Sequence, residues 1–170
     1  APSVRLRASN SGIELNLLET VQLTPTQGGQ VRLEAAKSPL FTLSPNGPAS
    51  GAAKLVSTPG GGLPRAEIDI PRWQMTPRGL EAQMSGRASL DFGPAQGIDL
   101  SASGLLRSPS GTTTFTLRDC MPVTVRQIEL GENDLSNVAG QACPSDRPLL
   151  TLGDGRTQVS ARLAEITATA

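Results

Sequence analysis

From Leu80 to Phe92 the residues alternate without exception: Leu80, Ala82, Met84, Gly86, Ala88, Leu90 and Phe92 are apolar or small, while Glu81, Gln83, Ser85, Arg87, Ser89 and Asp91 are polar. A period of two puts one set on each face of an extended chain, so the stretch predicts a β-strand with one oily and one wet side. The alternation resumes in Ile98, Leu100, Ala102, Gly104 and Leu106, set against Asp99, Ser101 and Ser103, after Gly93-Pro94-Ala95-Gln96-Gly97. A five-residue connection of this kind suits a hairpin.

Pairing Phe92 with Ile98 sets Leu90 opposite Leu100, Ala88 opposite Ala102, Gly86 opposite Gly104 and Met84 opposite Leu106. Glycine inside a strand marks a bend or a close backbone approach, so two facing glycines predict a fold line. The long strand would divide there into two legs of about 20 Å each, giving a U-shaped sheet with an apolar concave face. The same register sets Asp91 opposite Asp99, a repulsion that solvent around the turn weakens.

The rest of the chain reads as an all-β antiparallel meander. Val4, Leu6 and Ala8, then Asn10-Ser11-Gly12, then Ile13, Leu15 and Leu17 predict a second hairpin. Val21 to Leu23 and Val31 to Ala35 flank Gly28-Gly29. Leu40 to Leu43, bracketed by Pro39 and Pro45, predicts an edge or irregular strand. Ala53 to Val56 predicts a further strand, and Thr58-Pro59-Gly60-Gly61-Gly62-Leu63-Pro64 a long loop rather than a linker, because alternation resumes at Ala66, Ile68 and Ile70. Trp73 and Met75, between Pro71 and Pro77, are expected to pack over an edge. Thr112 to Leu117 predicts a strand with Phe115 and Leu117 on one side. The change of phase between Val123, Val125 and Ile128, Leu130 predicts a bulge near Arg126-Gln127. Leu135 to Ala139 is the one candidate for a helical turn, capped by Asn133 or Asp134. The chain closes with Leu149 to Leu152, a Gly153-Asp154-Gly155 turn, and Thr157, Val159, Ala161 and Leu163. Residues 1–170 are thus expected to form a single β-sheet unit.

Composition narrows the chemistry. Fifteen basic and fifteen acidic residues cancel, no basic block stands out, and the aromatics are one Trp, three Phe and no Tyr. Nucleic acid is therefore an unexpected partner, since it needs a basic footprint and stacking platforms. There is no histidine, which removes His-dependent triads, His-ligated zinc and the commonest general base. Cys120 and Cys143 lack metal-ligand spacing and read best as a disulfide, hence an oxidising compartment. The chain starts at Ala1 with no apolar run near the roughly 20 residues of a membrane span, which predicts a mature product or a piece of a longer chain.

Each candidate site has a simpler reading beside it. Glu129, Glu132 and Asp134 with Asn133 could ligate calcium, but they lack the full EF-hand pattern and an Asx-rich turn explains them. Asp119 beside Cys120 would raise a thiol's pKa, which favours a structural cystine over a reactive thiol. The serines have no base to activate them. Asp91 and Asp99 could be imagined as an acid and nucleophile pair, yet turn solvation accounts for them and no sugar platform accompanies them. No enzymatic activity and no cofactor is expected.

The apolar stripe is the constellation that matters. It could form a closed core, as in a sandwich or barrel, or line an open trough. Apart from Phe92 its side chains are Ala, Leu, Met and Ile where an all-β core is normally rich in large aromatics, and small aliphatic residues leave room. Such a lining suits acyl chains, which ask for no hydrogen bonds.

The stretch Leu80-Glu81-Ala82-Gln83-Met84-Ser85-Gly86-Arg87-Ala88-Ser89-Leu90-Asp91-Phe92-Gly93-Pro94, followed by Asp119-Cys120-Met121-Pro122-Val123, Leu130-Gly131-Glu132-Asn133-Asp134 and Ala142-Cys143-Pro144, resembles the YdbH family, itself similar to the AsmA-like and TamB-like envelope proteins of Gram-negative bacteria. The likeness covers roughly the second half of the chain. It implies a long curved sheet forming a hydrophobic groove in the periplasm, along which phospholipids pass between inner and outer membranes. Members carry an N-terminal membrane helix, so the resemblance implies an internal segment of a parent anchored in the inner membrane. That parent would meet inner- and outer-membrane partner proteins.

Two functions follow as expectations. In the first, phospholipid acyl chains run along a groove lined by Leu80, Ala82, Met84, Ala88, Leu90, Phe92, Ile98, Leu100, Ala102 and Leu106, with Gly86 and Gly104 at the bend. In the second, the chain is an envelope or secretion-system scaffold module with a closed β core that binds protein partners through strand edges.

Overall fold

The computed structural model describes residues 4–35 and 38–169, and among these there is no helix. The first strands are β1 (Val4–Ser9), β2 (Gly12–Leu17), β3 (Val21–Leu23), β4 (Gln30–Glu34) and β5 (Phe41–Leu43). The central ones are β6 (Ser50–Thr58), β7 (Arg65–Thr76), β8 (Gly79–Phe92) and β9 (Ala95–Ser108). The last are β10 (Thr112–Leu117), β11 (Met121–Ile128), β12 (Leu135–Cys143), β13 (Leu150–Gly153), β14 (Arg156–Val159) and β15 (Arg162–Thr169). All fifteen join one antiparallel sheet that does not close.

Strands β6 to β9 form a meander spine, and the sheet branches on both of its flanks. At the spine's first edge β5 pairs with the start of β6 at Ser50, and β4 pairs with its second half from Lys54 to Thr58. At the other edge β10 takes Gly104 to Arg107 of β9, and β11 takes Ala95 to Leu100. One leg therefore continues outward through β5, β2 and β1 and through β10, β13 and β14, and the other through β4 and β3 and through β11, β12 and β15. This corrects the simple meander expected of the N-terminal half. It also makes β5 an internal strand, held by β2 on one side and β6 on the other, where an edge was expected.

The division runs through a bulge on β7. Between the rungs Asp69–Ser85 and Arg72–Gln83, β7 inserts Ile70 and Pro71 against the single Met84 of β8. Proline has no N–H to give the ladder and is at home in such a bulge. The extra residue also shifts phase, so that Ile68 before it and Trp73 after it share the apolar side. Trp73 is thereby internal, not draped over an edge. Its Nε1 donates to the Leu40 carbonyl at 3.2 Å and its ring lies 6.0 Å from that of Phe41.

The β8–β9 register differs by two residues from the expected one. Leu90 faces Ile98, Ala88 faces Leu100, Gly86 faces Ala102, Met84 faces Gly104 and Ala82 faces Leu106. Gly86 and Gly104 are not opposed. The connection is Gly93-Pro94 alone, because Gln96 and Gly97 bulge against Asp91 and the Asp91 carboxylate accepts the Gly97 N–H at 2.6 Å. Gly97 takes a left-handed φ of 62° to do so, and a shift of two residues leaves every side chain on its expected face. Asp99 consequently faces Ser89, whose hydroxyl it accepts, and not Asp91.

Two expectations in the C-terminal third are also revised. Leu135 to Ala139 is strand, held between β11 and β15, and Asp134 serves the preceding turn by accepting the Leu130 N–H and the Gln127 amide. No register shift occurs in β11 at Arg126-Gln127; the irregular residues are its cross-strand neighbours Gly97 and Asn137, both with left-handed φ. The Gly60 loop is compact, closed by reciprocal Gly60 and Leu63 backbone bonds and by the Ser57 hydroxyl on the Pro64 carbonyl. It interlocks with the Gly28-Gly29 turn so closely that a Cβ on Gly29 would lie 2.5 Å from the Gly60 carbonyl oxygen.

The core sits where the two branches leave β9. Leu117, Met121 and Ala142 are buried there, with Leu100, Ala102, Phe115, Val123, Leu149 and Ala161 around them. The Cys120–Cys143 disulfide ties the β10–β11 connection to the end of β12 beside this cluster. The bond fits an oxidising compartment. Elsewhere the sheet stays open: the accessible surface is 11200 Å², against about 7,900 Å² for a compact monomer of this mass.

Candidate functional site

The apolar stripe is a half-buried face. Ala82 is buried at 4 % exposure, Phe92 stands out at the hairpin mouth at 74 %, and Leu80, Met84, Ala88, Leu90, Ile98, Leu100, Ala102 and Leu106 lie between these extremes. At its centre is an apolar notch of about 160 Å³. Met84, Ala88, Leu100 and Ala102 of the stripe line it together with Ala66 and Ile68 of β7 and Phe115 of β10. Leu80, Leu90, Phe92, Ile98 and Leu106 lie outside it.

Small residues make the notch. A Cβ on Gly86 would lie 2.6 Å from the Glu67 carbonyl oxygen and 3.4 Å from the Ile68 side chain, so β7 and β8 approach closely here. A Cβ on Gly104 would lie 2.8 Å from the Phe115 ring, which the glycine admits against β9. The lining offers a guest apolar contact and almost no hydrogen-bonding surface. Ala66, Ile68 and Phe115 alternate as clearly as the stripe does; what linear sequence lacks is the strand order that brings them to it.

The opposite face holds a larger depression of about 710 Å³ with charged residues in its lining, which no motif in the sequence announced. Register explains it: Arg32, Val56, Glu67, Arg87 and Ser101 are successive partners across β4, β6, β7, β8 and β9. Glu67 is its electrostatic hub. Arg87 Nη2 lies 2.6 Å from Glu67 Oε2, Lys54 Nζ lies 3.0 Å from Oε1, and Lys54 also reaches Glu34 at 3.2 Å. Arg87 first, then Lys54, holds the Glu67 carboxyl below the usual glutamate range, and Glu67 with Glu34 raises the Lys54 ammonium.

The other candidates resolve into turns. Glu129 accepts the Gln96 amide at 2.6 Å, Asp134 serves the adjacent backbone, and no group of three acidic, Cys or His side chains converges among the described residues. Asp91 and Asp99 are each engaged by their own hairpin. Comparison with protein-family models, characterised proteins and solved structures finds no match to this chain.

Proposed function

We propose that this chain is a segment of a periplasmic hydrophobic groove, akin to the YdbH and AsmA-like proteins, that carries phospholipids between inner and outer membranes without catalysis. The observation that carries the reading is the notch between Met84, Ala88, Ala102 and Phe115, an apolar recess left open on a sheet face. A recess whose exposed lining is almost wholly apolar suits an acyl chain, whose transfer from water is favourable in proportion to the area it hides. The excess surface and the disulfide agree with an open sheet in an oxidising compartment. Organic extraction of the purified protein followed by mass spectrometry tests it: co-purified phospholipid is expected, and a lipid-free extract together with no uptake of a fluorescent fatty acid would sink it.

A second reading, a scaffold module that binds protein partners through strand edges, is favoured by a different observation. The outer strands carry bare apolar side chains, among them Leu6 on β1 and Leu163 on β15, each 66 % exposed. Unpaired edges with such side chains are templates for strand addition. Native mass spectrometry separates the two readings, since a scaffold runs free of lipid.

A further inference from the structure

We propose that this larger depression is a binding site for the phosphate group of a small molecule, held by Arg32 and Arg65. The site lies on the opposite face of the sheet from the apolar notch and does not depend on the acyl-chain reading.

The argument starts from charge that is left over. Glu67 is already satisfied by Lys54 and Arg87, and Asp99 by the Ser89 hydroxyl. Arg32 and Arg65 line the same depression, yet among the described residues neither makes an ion pair. Arg32 goes further: its Nε is shut off from solvent and has no hydrogen-bond partner. A buried charged donor without an acceptor is costly, so Arg32 carries a charge that no side chain around it offsets.

Placement then selects the ligand. Arg32 is on β4 and Arg65 on β7, and both line the one recess, whereas Arg87 of β8 is held by Glu67. A planar carboxylate is filled by one guanidinium fork. A tetrahedral phosphate offers acceptor edges to several, which is why arginines in convergence favour it. Thr58 and Ser101 add hydroxyls to the walls, and a recess of about 710 Å³ is in the range of small-molecule sites. A polyanion is a poorer match, since the chain has no net charge to draw one.

Isothermal titration of the full chain at low ionic strength with glycerol 3-phosphate, beside co-sedimentation with phosphatidylglycerol vesicles, tests the proposal and tells a free ester from a lipid headgroup. Saturable binding is expected, and Arg65→Gln should weaken it about tenfold or more. Arg65 is exposed, so this variant should keep the parent melting temperature. Arg32→Gln should weaken binding as much, with its melt checked in parallel. Binding of the soluble ester assigns a free phosphate; vesicle binding alone, lost in Arg65→Gln, assigns a headgroup. Absence of both, or binding unchanged by Arg65→Gln, overturns the proposal.

Discussion

Gly104 lies directly across the ladder from Met84, and the vacancy where its side chain would be is taken up by the Phe115 ring of the next strand. A methyl group there would stand 2.8 Å from that ring and would also strike the Thr116 carbonyl. Gly104→Ala should therefore destabilise the fold by about 1–3 kcal/mol through overpacking. Urea denaturation checks this, and a midpoint unchanged from the parent would show that Phe115 yields freely.

The face around Leu90 and the face around Ala82 should answer differently to the same insult. Leu90 is half-buried beside the notch, whereas Ala82 is enclosed at 4 % exposure. Leu90→Arg should leave a cooperative melt and abolish acyl-chain uptake. Ala82→Arg forces a charge into the packed part of the sheet and should cost several kcal/mol, on the order of 3–5. Thermal melts of the two variants, read beside fatty-acid binding, make the comparison; unfolding of both would mean that the stripe is a core.

The disulfide closes a loop with a sequence separation of 23 residues. In the chain-entropy account, opening it by Cys120→Ser with Cys143→Ser should cost about 3 kcal/mol. The loss should appear as a lower denaturation midpoint for the double variant and equally for the parent in reducing buffer. Hydrogen exchange should rise first in β11 and β12.

Glu67 sets an acid limit. Its folded pKa is depressed, so between that value and the ordinary glutamate value the native state holds fewer protons than the unfolded chain. The ion pairs with Arg87 and Lys54 thus support the fold above the glutamate range, and this support fades as pH falls through the folded pKa. Both partners are open to water, so the effect is modest and salt-sensitive. Glu67→Gln should reduce the drop in melting temperature between neutral pH and about pH 3, and an identical drop in both proteins would contradict it.

The long strands and their two faces were legible because period-two alternation depends only on neighbours in sequence. The disulfide was legible too, since Cys120 and Cys143 had no competing thiol. Register was not, because one hydrogen bond from the Gly97 N–H to the Asp91 carboxylate shifts β9 by two residues without changing any face. Branching escaped for a related reason. Alternation says which side of a strand is oily but not which strand comes next, and β9 offers one edge to both β10 and β11. The helical turn expected at Leu135 gave way to ladder bonds from both sides, a tertiary demand that outweighs local capping. The unpaired arginines were invisible because Arg32 and Arg65 sit on two strands that only register brings to one recess.

The interlocked turns at Gly28-Gly29 and Gly60-Gly61 act on the depression from outside it. Strand β4, which carries Arg32, starts at that clasp, so the paired glycines set where one wall of the depression begins. Bulk introduced at a contact that touches no guest would thus displace the wall while leaving every arginine in the chain.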